Sequence, residues 1–444
     1  MNVDRTSSIV HRRPGIGVSG FVIAALSFLV VQHATADEKP ASDFTAENWT
    51  NAVGFAPDLK AVPEYKAGET IDSRTWQKIA PWIPDSIAGL IEKFGLKLRT
   101  AAYRPIHPSR GYIRATAANL GKARIVKTGK SIRKKGIDGY LAGLPFPHPQ
   151  NGDEVAWDYN FNYLGDDGGL RFGVLWIDAD RGVHRTEEWR WNYISRAMHR
   201  TDIEPLPEIP SFAGRQIQYA SLTWAKEPYD KAGLAALFYR FEEPLDQRGY
   251  LYIPRMRRTL KLTFGAKGVP WNKTDMLYED VRGYAGYPEW SYWKLLGKRT
   301  IMAPMHARIP LGADKTALTF DFDNAPHWNP FMDWEPRPVY VLEERSKEPF
   351  WTCPYKRTVM YVDAETFYIP IKEAYDEEGH LWKVAINAYN DSPDMDTDPP
   401  PIALTVVIDI QRTQATAFPT YDVFSNAGLE GSRFTETYLR REGK

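Results

Sequence analysis

One cysteine, Cys353, stands in a chain of 444 residues, so no intramolecular disulfide can form and no cysteine-rich zinc module is available. Neither sign of charge is in surplus. Lys and Arg total 56 against 56 Asp and Glu. Without a net field nothing concentrates phosphate, which argues against nucleic acid as the main partner and against a polybasic membrane anchor. After the first 36 residues no apolar run is long enough to cross a bilayer. The short motifs of familiar chemistries are missing as well. There is no Gly-x-Ser-x-Gly elbow, no His-Glu-x-x-His and no Cys-x-x-Cys, and Gly121-Lys122, Gly129-Lys130 and Gly297-Lys298 lack the preceding glycine of a phosphate loop. What the chain does contain is aromatic and apolar: 15 Trp, 24 Tyr and 20 Phe in a sequence that is 43% hydrophobic, with 33 Pro and 32 Gly. That is material for a full core, and it leans toward strands and turns over helical bundles.

Residues 1–36 read as an export signal. Arg5, Arg12 and Arg13 precede an apolar run from Gly15 to Val31, and Ala34-Thr35-Ala36 offers small residues for cleavage, so the mature chain is expected to begin at Asp37. Gly15, Gly17, Ser19 and Gly20 dilute the run as a retained membrane helix. Pro14-Gly15-Ile16 after Arg12-Arg13 ranks twin-arginine export below the general secretory route. No cysteine adjoins the cut, which excludes a lipoprotein. Removing 3 Lys+Arg and 1 Asp+Glu leaves 53 against 55, a mature charge of −2. The expectation is a periplasmic protein, soluble once the signal is gone.

Along the mature chain, Ile87, Leu90, Ile91 and Phe94 fall at i, i+3, i+4 and i+7 after Pro84-Asp85-Ser86, and Gly95 stops the pattern: an amphipathic helix with one apolar stripe. Residues 114–120 read as a second short helix. Trp157, Tyr159, Phe161 and Tyr163 then alternate with Asp158, Asn160 and Asn162, the period of a strand. Leu170, Phe172, Val174 and Trp176 repeat the alternation after the turn-rich 165–169, and the two runs together predict a hairpin. Further strands are predicted over 188–193, with Trp189, Trp191 and Tyr193 in phase, and over 217–224, 234–241, 250–254 and 256–264. Residues 323–333, rich in Pro, Trp and Asn, read as a linker or covering loop. A second run of strands follows at 339–344, 355–363, 367–375 and 381–389, with a turn at Lys347-Glu348-Pro349, a final strand at 402–410 and a charged terminal helix at 436–441. Strand after strand without a long helix between predicts an antiparallel meander, not a parallel α/β sheet. The fold class is mainly β (α+β), with residues 37–444 as one large domain.

Candidates for chemistry are weak on spacing. Cys353 lies between Thr352 and Pro354, outside any signature for thiol catalysis. His107, His148, His184, His199, His306, His327 and His380 never pair at i, i+3 or i, i+4, so no metal is predicted. Asp391, Asp394, Asp396 and Asp398 lack the central Gly and closing Glu of a calcium hand and read as a solvated acidic loop. Asp321 and Asp323 share a strand face, as paired carboxylates for sugar chemistry would, but so do many solvent-facing pairs. No catalytic residue and no cofactor is predicted. The aromatics admit two readings. On the inner face of a β core they pack against helices or another sheet. On a sheet curved into a half-barrel and only partly filled by helices they wall an apolar cavity suited to a lipid or another poorly soluble molecule.

Gly143-Leu144-Pro145-Phe146-Pro147 followed by Pro149, Asn151-Gly152, Glu154 and Trp157 resembles the signature of the bacterial family catalogued as domain of unknown function 1329. The resemblance extends over most of the mature chain. It includes Tyr252-Ile253-Pro254 with Arg255, Arg257 and Arg258; Trp293-Lys294-Leu295-Leu296-Gly297-Lys298; and Tyr361-Val362-Asp363 leading to Tyr375-Asp376, Gly379 and Leu381-Trp382. Where the family's hairpin continues with basic residues, this chain has Asn160, Asn162 and Gly165-Asp166-Asp167. The resemblance implies a fold similar to the lipoprotein carriers LolA and LolB: a large antiparallel half-barrel meander wrapped over a few helices, with an apolar cavity between. It implies no catalytic residues, and it implies as partners a resistance-nodulation-division type exporter and an outer-membrane protein encoded nearby.

The expected function is a non-enzymatic carrier or chaperone for a lipid or other hydrophobic molecule. Trp157, Tyr159, Phe161, Tyr163, Phe172, Trp176, Trp189 and Trp191 are the expected cavity wall, and Ile87, Leu90, Ile91 and Phe94 the helical cover. A register slip of one residue would exchange the two faces. The rival readings are a carbohydrate-active or lectin-like exported protein and a structural subunit of an envelope transport complex.

Overall fold

A computed structural model describes residues 41–244, 248–263, 270–347 and 353–442. The export signal at 1–36, Phe264 and Glu348-Pro349 of the predicted turn lie outside the described residues. The strands are β1 (Thr70–Ile71), β2 (Leu98–Thr100), β3 (Arg124–Ile125), β4 (Ile137–Asp138), β5 (Asp167–Asp178), β6 (Gly182–Ile194), β7 (Ile217–Glu227), β8 (Ala235–Phe241), β9 (Arg248–Ile253), β10 (Arg258–Thr263), β11 (Ser291–Ala303), β12 (Asp333–Ser346), β13 (Arg357–Asp363), β14 (Ile371–Tyr375), β15 (Leu381–Tyr389), β16 (Ile402–Asp409) and β17 (Gln414–Ser425). Helices α1 (Trp49–Val53), α2 (Asp85–Phe94), α3 (Arg110–Ala118) and α4 (Gly152–Asn160) precede β5, and a charged helix, Glu436–Glu442, ends the described chain.

Helix α2 follows from its sequence. Ile87, Leu90 and Ile91 are buried on one stripe, Lys93 sits in the last turn, and Gly95 takes the left-handed C-cap at φ 66°. Helix α3 opens on Ser109, whose Oγ accepts from the Tyr112 N–H at 3.1 Å.

Apart from the small ribbon β3–β4, the described strands join one sheet, ordered β1-β2-β12-β13-β14-β15-β16-β17-β5-β6-β7-β8-β9-β10, with β11 beside β12. The sheet is built from two meanders, β5 to β10 and β12 to β17. The last strand of the second closes on the first strand of the first, Ala417 opposite Leu175, antiparallel. Pairing is antiparallel except where Asp333 and Trp334 of β12 run parallel to Arg99 and Thr100. The fold is mainly β with few helices, as the strand spacing predicts.

Alternate residues of β12 serve two cores. Val339 and Val341 pack in the cluster that buries α2 and the turn around Trp82. Tyr340 and Leu342 pack with α1, α3 and α4. Among the described residues no helix is long and apolar enough to cross a membrane.

The structure corrects the predicted hairpin. Residues 157–160 end a helix, and Phe161 to Tyr163 lie beyond it. Asn151 caps α4: its Oδ1 accepts from the Glu154 N–H at 3.0 Å and its Nδ2 donates to Glu154 Oε1 at 2.7 Å, while Asp153 and Glu154 complement the positive end of the helix. Helix α4 buries Val155, Ala156, Trp157 and even Asp158, so its polar and apolar residues are not sorted by face and their alternation carries no strand meaning. The hairpin partner of β5 is β6, with Phe172 opposite Trp189. Nor is 402–410 the final strand: β17 follows it, and β11 is a further strand that the periodicity does not predict.

Candidate functional site

Register lines up one face of the first meander. Val423 pairs with Leu170, Leu170 with Trp191, Trp191 with Thr223, Thr223 with Ala236, and Ala236 with Leu251. Every member of that row lines a single cavity of about 520 Å³, a volume typical of small-molecule sites. The next row adds Tyr193, Ser221 and Phe238. Residues between them on β7 turn the other way: Leu222 and Trp224 pack solidly with Phe212, Leu429, Phe434 and Leu439. The same strands therefore have one filled face and one hollow face.

The cover over the hollow is irregular chain between β10 and β11. Trp271, Met276, Tyr278, Val281, Arg282 and Tyr284 from that stretch line the cavity, joined by Tyr159 and Asn160 at the end of α4 and by Pro399 to Ile402. Long-range polar contacts hold it in place. Lys372 Nζ donates to Asp280 Oδ1 and Tyr355 Oη to Asp280 Oδ2, both at 2.8 Å. Lys383 Nζ donates to the Asp275 carbonyl at 2.5 Å. Asn272 Nδ2 donates at 2.6 Å to the buried Glu187, which also accepts from Trp189 Nε1 at 2.9 Å and pairs with Arg185 and Lys231. Tyr159 Oη donates to the Tyr284 carbonyl at 2.6 Å. Gly283, at φ 103°, passes so near the chain that leads into β14 that a Cβ would lie 2.7 Å from Ile369.

Charge inside the cavity is lopsided. Among the described residues lining it are Arg196, Arg240 and Arg282, against Glu279, and Glu279 stands 3.8 Å from Lys372. Arg196 donates to the carbonyls of Asn162 at 2.6 Å and Ser195 at 2.9 Å. Burial draws its guanidinium below the ordinary value, and the like charge of Arg282 adds to the effect. Arg240 donates to Asn160 Oδ1 at 2.7 Å and lies 3.9 Å from the centroid of the Tyr287 ring. Arg282 sits among Tyr159, Tyr193, Tyr368 and Tyr389, 5.2 Å from the Tyr368 centroid. Burial pushes those phenols up, Tyr389 to about 12, so they stay neutral at physiological pH.

The family model described as Protein of unknown function (DUF1329) matches residues 70–440. The chain belongs to that family. No curated protein matches it. Among solved structures, the DUF1329 chain is similar to a Vibrio parahaemolyticus domain described as that of an outer membrane lipoprotein-sorting protein, at 18% identity and a TM-score of 0.45 over 65% of this chain and 98% of that one. It is similar to a DUF1329 family protein from Desulfovibrio piger at 14% identity and a TM-score of 0.45, covering 65% and 97%. A LolA superfamily protein from Nitrosomonas europaea aligns at 14% identity and a TM-score of 0.39, covering 65% and 100%.

Within this DUF1329 fold the expected wall residues separate. Tyr159, Phe172, Trp189 and Trp191 line the cavity. Trp176 joins Phe172 and Trp189 where the face is packed, its Nε1 donating to the Lys273 carbonyl at 3.2 Å. Trp157 and Phe161 pack with Ile137, and Tyr163 packs with Tyr112, because α4 and the turn after it carry them away from the sheet. Ile87, Leu90, Ile91 and Phe94 lie in the core under α2, away from the cavity. The covering stretch from Trp271 to Gly286 has no periodicity to announce it; its Trp and Tyr content is the one signal in the sequence.

The other candidates are engaged elsewhere. Asp391 pairs with Arg104 and Asp396 with Arg110. Asp321 bonds Asn324 on exposed chain, and Cys353 packs near Leu277 and Tyr355. His199 contacts Glu242 and His306 contacts Glu335, each at 2.9 Å. Among the described residues no group of three or more His, Cys, Asp or Glu could hold a metal ion.

Proposed function

We propose that this DUF1329 protein is a periplasmic, non-enzymatic carrier or chaperone that takes up a lipid or similar hydrophobic molecule beneath the first meander. The hollow itself carries this reading: about 520 Å³ stays open against strands whose opposite face packs to completion. Aromatic walls on a sheet offer apolar contact at about 25 cal/mol per Å² buried, and they lose little freedom when a ligand arrives because register already holds them. The export signal expected at residues 1–36 supports the compartment. An envelope export system, with an exporter of the resistance-nodulation-division type and an outer-membrane protein, is the expected setting. Uptake by burial alone makes release the harder step, and a partner is the natural source of it.

The test is extraction of the purified mature protein into organic solvent followed by mass spectrometry, together with titration by the neutral apolar fluorophore N-phenyl-1-naphthylamine. A hydrophobic molecule that co-purifies, and fluorophore binding that this molecule reverses, is the expected result. A bare protein that leaves the fluorophore dark overturns the proposal.

A further inference from the structure

The carrier reading leaves open what kind of hydrophobic molecule is carried, and the unbalanced charge of the cavity bears on that choice. Three lining guanidiniums have different commitments. Arg196 is spent on backbone carbonyls and Arg240 on Asn160 and the Tyr287 ring. Arg282 faces the cavity among neutral phenols, and among the described residues no ion pair joins it to a carboxylate. A half-buried cation without a counter-ion bears part of the cost of leaving water, and that cost is recovered when an anion arrives. A polar partner of the Arg282 guanidinium is the Tyr389 hydroxyl, an uncharged group that leaves the cation unneutralised. Arg282 also holds φ 55°, a left-handed conformation uncommon outside glycine that persists where its surroundings impose it. Here Gly283 is wedged on Ile369 and Tyr159 Oη reaches the Arg282 carbonyl at 3.3 Å.

We propose, resting on the carrier reading, that Arg282 receives the anionic head of an amphiphile, so that the ligand is a long-chain molecule bearing a carboxylate or phosphate and not a neutral lipid. The head accepts from the guanidinium fork, which suits paired oxygens, and the chain lies along the row of Leu170, Trp191 and Leu251.

Displacement of N-phenyl-1-naphthylamine from the mature protein by palmitate, hexadecyl phosphate and hexadecanol tests this, since the three share one chain and differ at the head. At least one anion is expected to bind about tenfold or more tighter than the alcohol, the scale of a charge-assisted hydrogen bond. Whichever anion leads identifies the head. Arg282→Gln is expected to abolish the preference by weakening the anions while hexadecanol is unchanged. Equal affinities for anions and alcohol in the unaltered protein overturn the head-group assignment and leave the carrier standing. If neither the fluorophore nor any of the three binds, both fall. Should Arg282→Gln not fold, the comparison in the unaltered protein still decides, and Arg282→Lys, which keeps the charge and loses the fork, is expected to retain a reduced preference.

Discussion

Ala236 on β8 and Ala220 on β7 sit on opposite faces of the sheet, and that makes them a direct probe of the hollow. Ala236 sits between Thr223 and Leu251 on the cavity row, whereas Ala220, fully buried, sits between Ile194 and Tyr239 in the packed cluster. Ala236→Trp puts an indole into open space. If that ring takes the place of about five methylene groups of a bound chain, at about 0.8 kcal/mol each, binding weakens by about 4 kcal/mol, or about a thousandfold. Folding should be nearly unaffected, because nothing has to move aside. Ala220→Trp must push into a filled core and should lose about 1–3 kcal/mol of stability while changing affinity little. N-phenyl-1-naphthylamine titration reads binding and urea denaturation reads stability. Were Ala236→Trp to cost as much stability as Ala220→Trp and leave the fluorophore bound, the face would be filled, and the reasoning from register to cavity would be refuted.

Other perturbations test how the cover is held. Gly283→Ala adds a Cβ 2.7 Å from Ile369 at a backbone φ of 103°, and a loss of about 1–3 kcal/mol by denaturation is expected; a neutral result would show that the stretch shifts freely. Lys372→Met removes the buried cation facing Asp280 and Glu279, so about 3–5 kcal/mol should be lost, with new protease cleavage between Trp271 and Gly286; an intact cover under limited proteolysis would count against these anchors. Asp158 is buried with the Phe146 N–H as donor at 2.8 Å, and burial raises its carboxyl well above the usual range. A raised carboxyl keeps its proton in the native state where the unfolded chain, with a pKa of about 3.9, has released it. Wild-type stability from this group is therefore lost as pH climbs above that value. Asp158→Asn should gain on wild type progressively across the window that opens at about pH 4 and closes at the raised native value. Urea midpoints that differ by a constant amount across that window would contradict this.

How far the sequence could be read depended on whether the interactions were local. Helix α2 was legible because its stripe and its Gly95 stop are neighbours in sequence, and β5 and β6 were legible because Phe172, Trp176, Trp189 and Trp191 alternate on faces that the structure keeps distinct. The segment 157–163 misled for the complementary reason: α4 is enclosed on so many sides that Asp158 is as buried as Trp157, and period then says less than the Asn151–Glu154 cap. Strand β17 was obscured by its own composition, with Ala415 and Ala417 in place of branched residues and Pro419 in its middle. The cover was beyond reach. Its anchors, Lys372, Tyr355 and Lys383, lie 75 to 108 residues from the groups they hold, and no local pattern encodes such pairings. Arg282 was invisible as a site residue for the same reason, since an isolated arginine in a non-periodic stretch carries no signal until the strands around it are placed.

The arrangement explains how a folded chain keeps a greasy hollow without collapsing into it. Stability is drawn from elsewhere on the same elements: from the packed reverse face of β7 and β8, and from the two cores that clamp β12. The cover is tied down by hydrogen bonds and ion pairs that converge on Glu187, Asp275 and Asp280, and Trp271 and Met276 pack it onto Phe172, Trp189 and Phe418 at one end of the space. Polar anchors of this kind are directional. They fix the cover at a set height over the sheet, where an apolar lid would gain by sinking until the volume was gone. An apolar cavity can persist under a polar-tethered cover, and among the cover residues that line it Arg282 brings charge. A plugged barrel would present the reverse arrangement, with apolar side chains filling the space and charges kept at its rim.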